Sequence, residues 1–139
     1  MRILHVCKWM FASLLIFGFL SSNACSQGKV ETPRPRVIQL NQTATDSGDV
    51  FKGPPETYTM RSGYMVLGPG KSVGRHSTKK YEEALVVFAG TGEMTITGGP
   101  ILTVKAYSVA YCPPNTEHNV TNIGTDTLRY IWLVARAIP

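Results

Sequence analysis

Short apolar runs follow one another from Tyr58 to the end of the chain, and glycine, proline and asparagine separate them. The interruptions come about every 8 to 12 residues, a spacing typical of an all-β sandwich or barrel. Apolar and polar residues alternate over Glu93–Thr97, as in a strand with one face in solvent. The predicted strands are Tyr58–Leu67, Ala84–Ala89, Glu93–Thr97, Ile101–Lys105, Ser108–Cys112, Glu117–Asn122 and Leu128–Ala135. No segment carries the apolar stripe of an amphipathic helix, so the pattern predicts an all-β fold with room for one small ligand.

The first 24 residues have a different pattern. A basic start is followed by one apolar run, Trp9–Leu20, and then by small and polar residues. This arrangement is typical of a secretory signal peptide, and the run is shorter than the roughly 20 residues of a membrane-spanning helix. We therefore predict that residues 1–24 direct export.

Cys25 permits two interpretations of that export. The segment Ser22–Cys25 resembles the relaxed lipobox of bacterial lipoproteins, in which the cysteine is acylated and anchors the protein to a membrane. This resemblance implies lipidation of Cys25 and a location in the periplasm or on the cell surface, although Ser22 stands where an apolar residue is usual. The alternative is cleavage after Ala24 and release of a soluble periplasmic or secreted protein.

The segment that follows, residues 25–55, is polar and rich in proline and glycine, and we interpret it as a tether. Its one apolar patch, Val37–Leu40, could add an edge strand to the domain predicted over residues 56–139. Without Arg2 and Lys8 the net charge is +3 rather than +5, and the basic residues are scattered, which argues against nucleic-acid binding. Cys112 is the one cysteine of the predicted domain, so a disulfide framework within it is excluded, and we interpret Cys112 as a small core residue.

Two groups of polar residues occur beside the predicted strands. His76 and Thr78 are two positions apart and would share a strand face, as would His118 and Asn122. Two adjacent glutamates, Glu82 and Glu83, begin the apolar run of the second predicted strand. Since neighbours on a strand face opposite sides, only one of the two glutamates can point inward.

The spacing of these residues resembles the two motifs of the cupin superfamily. Gly70, five residues, His76-x-Thr78, four residues, Glu83, six residues and Gly90 follow the first motif. The second motif is matched by Pro113-Pro114-Asn115, two residues, His118, three residues and Asn122, with Tyr107 where the motif begins with glycine. The resemblance spans roughly residues 58–135. It implies a single-domain double-stranded β-helix, or jelly-roll barrel, and assigns Glu83 rather than Glu82 to its interior.

The cupin resemblance also implies a ligand set. Metal-binding cupins use two histidines and a glutamate from the first motif and one histidine from the second. Carried over, this leaves His76, Glu83 and His118 as ligands of one divalent metal (Fe, Mn, Zn or Ni), because Thr78 replaces the remaining histidine. Two histidines and a carboxylate leave positions open for a substrate. Thr78 and Asn122 are then expected in the small-molecule pocket.

The family includes oxygenases, isomerases, lyases and binding proteins, so the resemblance leaves the reaction open. The substitution at Thr78 supports an alternative from a different class, a metal-free ligand-binding or structural envelope lipoprotein. A homodimer is a further expectation from the family, since cupins commonly pair through edge strands.

Overall fold

The computed structural model describes residues 32–137 of the 139-residue chain. The predicted signal peptide over residues 1–24 and the predicted lipidation site at Cys25 lie outside the described residues. Within the described part, no helix is long and apolar enough to cross a membrane.

Residues 32–137 fold entirely into strands and connecting turns, which confirms the all-β prediction. Short turns separate most of the strands, because glycine, proline and asparagine end the apolar runs. The strands are β1 (Gly48–Phe51), β2 (Arg61–Leu67), β3 (His76–Ser77), β4 (Tyr81–Ala89), β5 (Thr91–Ile96), β6 (Ile101–Lys105), β7 (Ser108–Cys112), β8 (Glu117–Asn122) and β9 (Leu128–Arg136).

The strands form two antiparallel sheets that enclose the core. The five-stranded sheet has the order β1-β2-β9-β4-β7, and the four-stranded sheet has the order β3-β8-β5-β6. Alternate residues of each strand point between the sheets, where burying them from water drives their association. The fully buried core side chains come from both sheets and include Leu85, Met94, Val120 and Leu128.

The predicted edge strand lies elsewhere in the sequence. Val37–Leu40 is not a strand, and Val37 is 82% exposed. Instead Gly48–Phe51 pairs with β2, with Gly48 opposite Tyr64. β9 pairs with one edge of β2 and β1 pairs with the other, so no hydrogen-bonding edge of β2 remains for the apolar patch. The sheet thus begins within residues 25–55, which the sequence analysis assigned to a tether.

In two turns, other residues stand where the cupin motifs have glycine. Asn115 and Tyr107 have φ values of 57° and 63°, in the left-handed region that glycine favours. Asparagine tolerates this conformation well. Tyr107 adopts it in the turn between β6 and β7, with its side chain 98% exposed. Tyr107 therefore gives the turn the same backbone conformation that glycine would give it, but at a higher cost in free energy.

Candidate metal centre

Three strands bring His76, Glu83 and His118 together at one end of the barrel. His76 on β3 lies directly opposite His118 on β8, so both side chains project from the same face of the four-stranded sheet. Glu83 lies near the start of β4 in the other sheet, opposite Cys112 and Val134. The site thus lies between the sheets, and each sheet supplies part of it.

The potential ligand atoms of the three side chains all lie within 4.8 Å of one another. Glu83 Oε2 is 3.2 Å from His118 Nε2 and 4.0 Å from His76 Nε2. The imidazole rings of His76 and His118 have centroids 4.4 Å apart and planes inclined by 53°. His118 is 1% exposed and Glu83 is 6% exposed, whereas the side chain of His76 is 39% exposed at the mouth.

Backbone carbonyls fix the orientation of both imidazoles. His76 Nδ1 lies 2.9 Å from Gly74 O, and His118 Nδ1 lies 3.2 Å from Thr116 O. A carbonyl oxygen can only accept a hydrogen bond, so each Nδ1 carries a proton and donates it. In the neutral rings, both Nε2 atoms therefore present a lone pair towards the Glu83 carboxylate. Histidines that bind metals are commonly oriented in this way.

The contact between Glu83 and His118 leaves two buried atoms without a hydrogen-bond partner among the described residues, Glu83 Oε2 and His118 Nε2. A buried carboxylate facing a lone pair is costly without a positive charge between them. One solution is a proton on His118: the adjacent Glu83 carboxylate raises the pKa of His118, while burial acts in the opposite direction. The other solution is a metal cation, which would satisfy both atoms and His76 together. The residues present therefore fit a divalent metal.

Cys112 lies behind this group, away from solvent. Its Sγ is 3.2 Å from His118 Nδ1, and the residue is fully buried. Burial, together with the negative charge of Glu83, raises the pKa of the thiol to about 11. The thiol therefore stays protonated at neutral pH and packs beside His118 as a small core group, in agreement with the sequence interpretation.

A pocket of about 270 Å³ opens beside two of the candidate ligands, His76 and Glu83. His76 and Glu83 line one side, and a largely apolar wall forms the rest. The residues that complete the lining are Arg61, Met65, Val73, Thr78, Tyr130, Trp132 and Val134. A larger depression of about 670 Å³ lies on the outer face of β2, β4 and β9, next to Ile38–Gln42, and contains none of the three candidate ligands.

The structure treats the two predicted pocket residues differently. Thr78 follows the end of β3 and lines the pocket, but its hydroxyl donates to Tyr81 O at 2.7 Å. Asn122 is 1% exposed and lies outside the pocket lining. Its amide donates to Leu67 O and Asp126 O, both at 2.8 Å, and its Oδ1 accepts from Gly124 N. These bonds fasten the end of β8 to two neighbouring segments.

Neighbouring polar residues face outward. Glu82 accepts a hydrogen bond from the Tyr111 hydroxyl at 3.1 Å on the outer face of the sheet. Arg75 lies 3.6 Å from the Glu117 carboxylate, with its side chain 64% exposed. Because side chains alternate along the strand, Glu82 and Glu83 lie on opposite faces of the sheet, although they are adjacent in sequence.

Sequence reasoning missed Arg61 in the pocket wall, and it could not decide whether Tyr130 and Trp132 belong to the core or to the wall. The motif spacing contains no signal for them, because they belong to β2 and β9, outside both motifs. Alternation along β9 identifies Leu128, Tyr130 and Trp132 as one face, but only the pairing of β9 with β4 shows that this face meets Glu83.

Comparison with known proteins agrees with this geometry. The model of the family described as "Cupin domain" matches residues 63–134, more than half of the chain. No curated protein matches the chain at a significant level.

Three solved structures share the fold at low sequence identity. A cupin 2 conserved barrel domain protein from Salinispora arenicola has a TM-score of 0.61, with 19% identity over 75% of this chain and 91% of that one. A predicted oxalate decarboxylase from Thermotoga maritima has a TM-score of 0.54, with 16% identity over 72% and 100%. The Cnp3 cupin domain of Schizosaccharomyces pombe has a TM-score of 0.59, with 19% identity over 66% of this chain and 64%, less than two thirds, of that one.

Proposed function

We propose that this chain, which belongs to the cupin family, binds a small molecule in its barrel through one divalent metal ion held by His76, Glu83 and His118. The observation that carries this proposal is the buried pair of atoms, Glu83 Oε2 and His118 Nε2, which face each other 3.2 Å apart without hydrogen-bond partners among the described residues. A cation at this point would satisfy both atoms at once. The half-exposed His76 would complete the set from the mouth of the pocket.

A bound metal with three protein ligands would act as a Lewis acid, or as a centre for oxygen chemistry, on a molecule that occupies its open positions. The protein's own residues do the rest. Gly74 O and Thr116 O keep the two imidazoles aimed at the site, and the apolar wall excludes water from the bound molecule. A metal-dependent oxygenase, isomerase or lyase would each be compatible with such a site.

Metal-dependent stabilisation tests this proposal. At a free metal concentration about one hundred times the Kd, binding to the folded state should raise the free energy of unfolding by about 2.7 kcal/mol. Denaturant unfolding of chelator-treated protein, with and without Mn, Fe, Zn or Ni, measures the change. We expect the His76→Ala variant to lose the response, since His76 is half-exposed and its removal should leave the fold intact.

Ser77→Ala is the matched control, because Ser77 is adjacent to His76 on the opposite face of β3 and should keep the full response. Equal stabilisation of the wild type and His76→Ala, or no stabilisation of the wild type by any of the four metals, would overturn the proposed site.

A second candidate is a metal-free binding protein or structural envelope lipoprotein, and the position of Thr78 favours it. A threonine hydroxyl is a poor metal ligand and this one donates to Tyr81 O, so the candidate site rests on three residues. Thermal-shift measurements with sugars and organic acids in the presence of a chelator would distinguish this function. Stabilisation that persists without metal supports it.

Export and lipid anchoring at Cys25 are also proposals, supported by the sequence pattern of residues 1–25. Fractionation of cells that express the full chain tests them. We expect the wild type in the membrane fraction, and Cys25→Ser in the soluble fraction or unprocessed. A Cys25→Ser variant that stays processed and membrane-bound would exclude lipidation at this residue.

A further inference from the structure

We propose that Arg61 binds the carboxylate of a small organic acid, so that the pocket selects an anion with an apolar body and a second oxygen donor for the metal. This inference rests on the proposed metal site, because it names the substrate class of the same pocket. It is carried by the position of Arg61, which is the one basic side chain that lines the inner pocket within residues 32–137 apart from the candidate ligand His76.

The strand register places Arg61 in the same row as Glu83. Arg61 on β2 lies opposite Val134 on β9, and Val134 lies opposite Glu83 on β4. Residues directly opposite in adjacent strands project to the same face, so Arg61 shares the face of Glu83, and its exposed side chain lies at the mouth of the barrel. Neighbouring strands are about 4.8 Å apart, so about 10 Å separates the backbones of Arg61 and Glu83. A small molecule can bridge this distance between a guanidinium and a metal.

The Arg61 side chain is held in place from two sides. Its guanidinium carbon lies 5.1 Å from the centroid of the Tyr81 ring, a cation–π contact that restrains the plane of the group. The backbone at Gly53 lies against the stem, because a Cβ added there would be 3.3 Å from Arg61 Cγ. Stacking on an aromatic face leaves the N–H edge of guanidinium available for a bidentate carboxylate.

No carboxylate within residues 32–137 forms an ion pair with Arg61. The one acidic residue in the pocket lining is Glu83, which the proposed metal would engage. Two other described arginines do form ion pairs with a carboxylate: Arg36 with Glu56 and Arg75 with Glu117, each at 3.6 Å. Arg61 therefore has its charge and its donor edge free for an anion from solution.

The approach to the pocket is also positively charged. A depression of about 600 Å³ at the mouth shares Arg61, His76 and Thr78 with the inner pocket. Its remaining lining includes Lys79 and no acidic residue. A concave site lined by charge of one sign attracts ligands of the opposite sign and raises their local concentration.

The inner pocket narrows the choice of anion. Its volume of about 270 Å³ is just below the usual range of ligand cavities, and Met65, Val73, Trp132 and Val134 form an apolar wall. A phosphorylated sugar or nucleotide would bring more polar groups than this wall can satisfy. A branched short-chain acid with an α-hydroxyl or α-keto oxygen matches it, with the carboxylate on Arg61 and the second oxygen towards the metal.

Calorimetric titration of the metal-loaded protein tests the inference with four probes: α-hydroxyisovalerate, α-ketoisovalerate, isovalerate and the neutral α-hydroxyisovaleramide. We expect at least one acid to bind, and to bind about ten to one hundred times more tightly than the amide, as a charged hydrogen-bonded pair predicts. Arg61→Gln should remove this preference. Arg61→Lys should restore part of it, because the charge remains while the bidentate edge is lost.

Lys105→Gln is the matched control, since Lys105 is exposed on β6 and the substitution removes the same charge. Metal content, measured in every sample, separates the two proposals. Full metal content with equal binding of acid and amide, with no binding of any acid, or with identical effects of Arg61→Gln and Lys105→Gln would overturn the role of Arg61 and leave the metal site standing. Loss of metal from the wild type would instead refute the proposed function, and this inference with it.

Discussion

At the scale of single residues, the environment of each side chain decides its chemistry more than its type does. Glu82 and Glu83 are adjacent and chemically identical, yet one meets a tyrosine hydroxyl at the surface and the other meets two imidazoles in the barrel. His118 and Cys112 are in contact, and burial keeps the thiol protonated while the carboxylate favours the charged imidazole.

The pH dependence of stability should report the Glu83–His118 contact in metal-free protein. The Glu83 carboxylate raises the pKa of His118 above its ordinary value of 6.5. A raised pKa in the folded state stabilises the fold fully below pH 6.5, and this contribution is lost as the pH rises through the folded pKa. We expect the free energy of unfolding of the wild type to decline between pH 6 and 8 relative to Glu83→Gln.

Denaturant unfolding in the presence of a chelator, at several pH values, measures this difference. The range ends at pH 8 so that ionisation of Cys112 does not contribute. Parallel curves for the wild type and Glu83→Gln would show that the two side chains do not interact in solution as they do in the structure.

At the scale of strands and turns, the fold depends on close approach at a few positions. Gly90 joins β4 to β5 with a φ of 81°, and a Cβ there would lie 2.7 Å from Leu128 Cα and from Thr127 O. The contacted atoms belong to the backbone at the start of β9, so they cannot move aside as a flexible side chain would. The positive φ of the turn and the close approach of β9 therefore both require glycine at position 90.

Two alanine substitutions separate backbone strain from this steric contact. Gly98 also has a positive φ, of 70°, but a Cβ added there meets no atom within 4 Å. Gly98→Ala should cost about 1 to 2 kcal/mol of unfolding free energy from the left-handed conformation alone. Gly90→Ala should cost about 1 to 3 kcal/mol more, because the added methyl overpacks the site. Equal losses in chemical denaturation would contradict the close approach.

At the scale of the whole molecule, the candidate centre connects two sheets that otherwise meet mainly through apolar packing. His76 and His118 come from the four-stranded sheet, and Glu83 comes from the five-stranded sheet. A metal bound to all three would link β3 and β8 to β4 across the mouth of the barrel. The distant end, at the turn between β6 and β7, would gain no such link.

Hydrogen exchange can detect this link. On addition of the stabilising metal, we expect slower amide exchange at β3, at the start of β8 and at the start of β4, in both sheets at once. Amides of the β6–β7 turn, Ala106 and Tyr107, are hydrogen-bonded to Gly90 O and Val87 O at the far end, so they should change little and serve as the internal control. Slowing restricted to one sheet would show that the metal binds without bridging them.

The amino-acid pattern alone predicted much of this molecule. Turn residues and alternation predicted the all-β class and most strands, and β6, β7 and β8 have the predicted bounds. Local chemistry is sufficient for these features, because turns and strand faces depend on neighbouring residues. The motif spacing also predicted that His76, Glu83 and His118 form one group, and the structure brings them within 4.8 Å.

Tertiary structure decided the features that depend on which strands pair. The sequence pattern allowed Val37–Leu40 to add an edge strand, but β1 pairs with β2 instead. Asn122 is drawn into bonds with Leu67 and Asp126, and Arg61 joins the row of Glu83 through β9. Register between strands distant in sequence is set by packing of the entire core, and no local pattern encodes it. For that reason the sequence predicted the three candidate metal ligands, but it did not predict the pocket wall that would select the bound molecule.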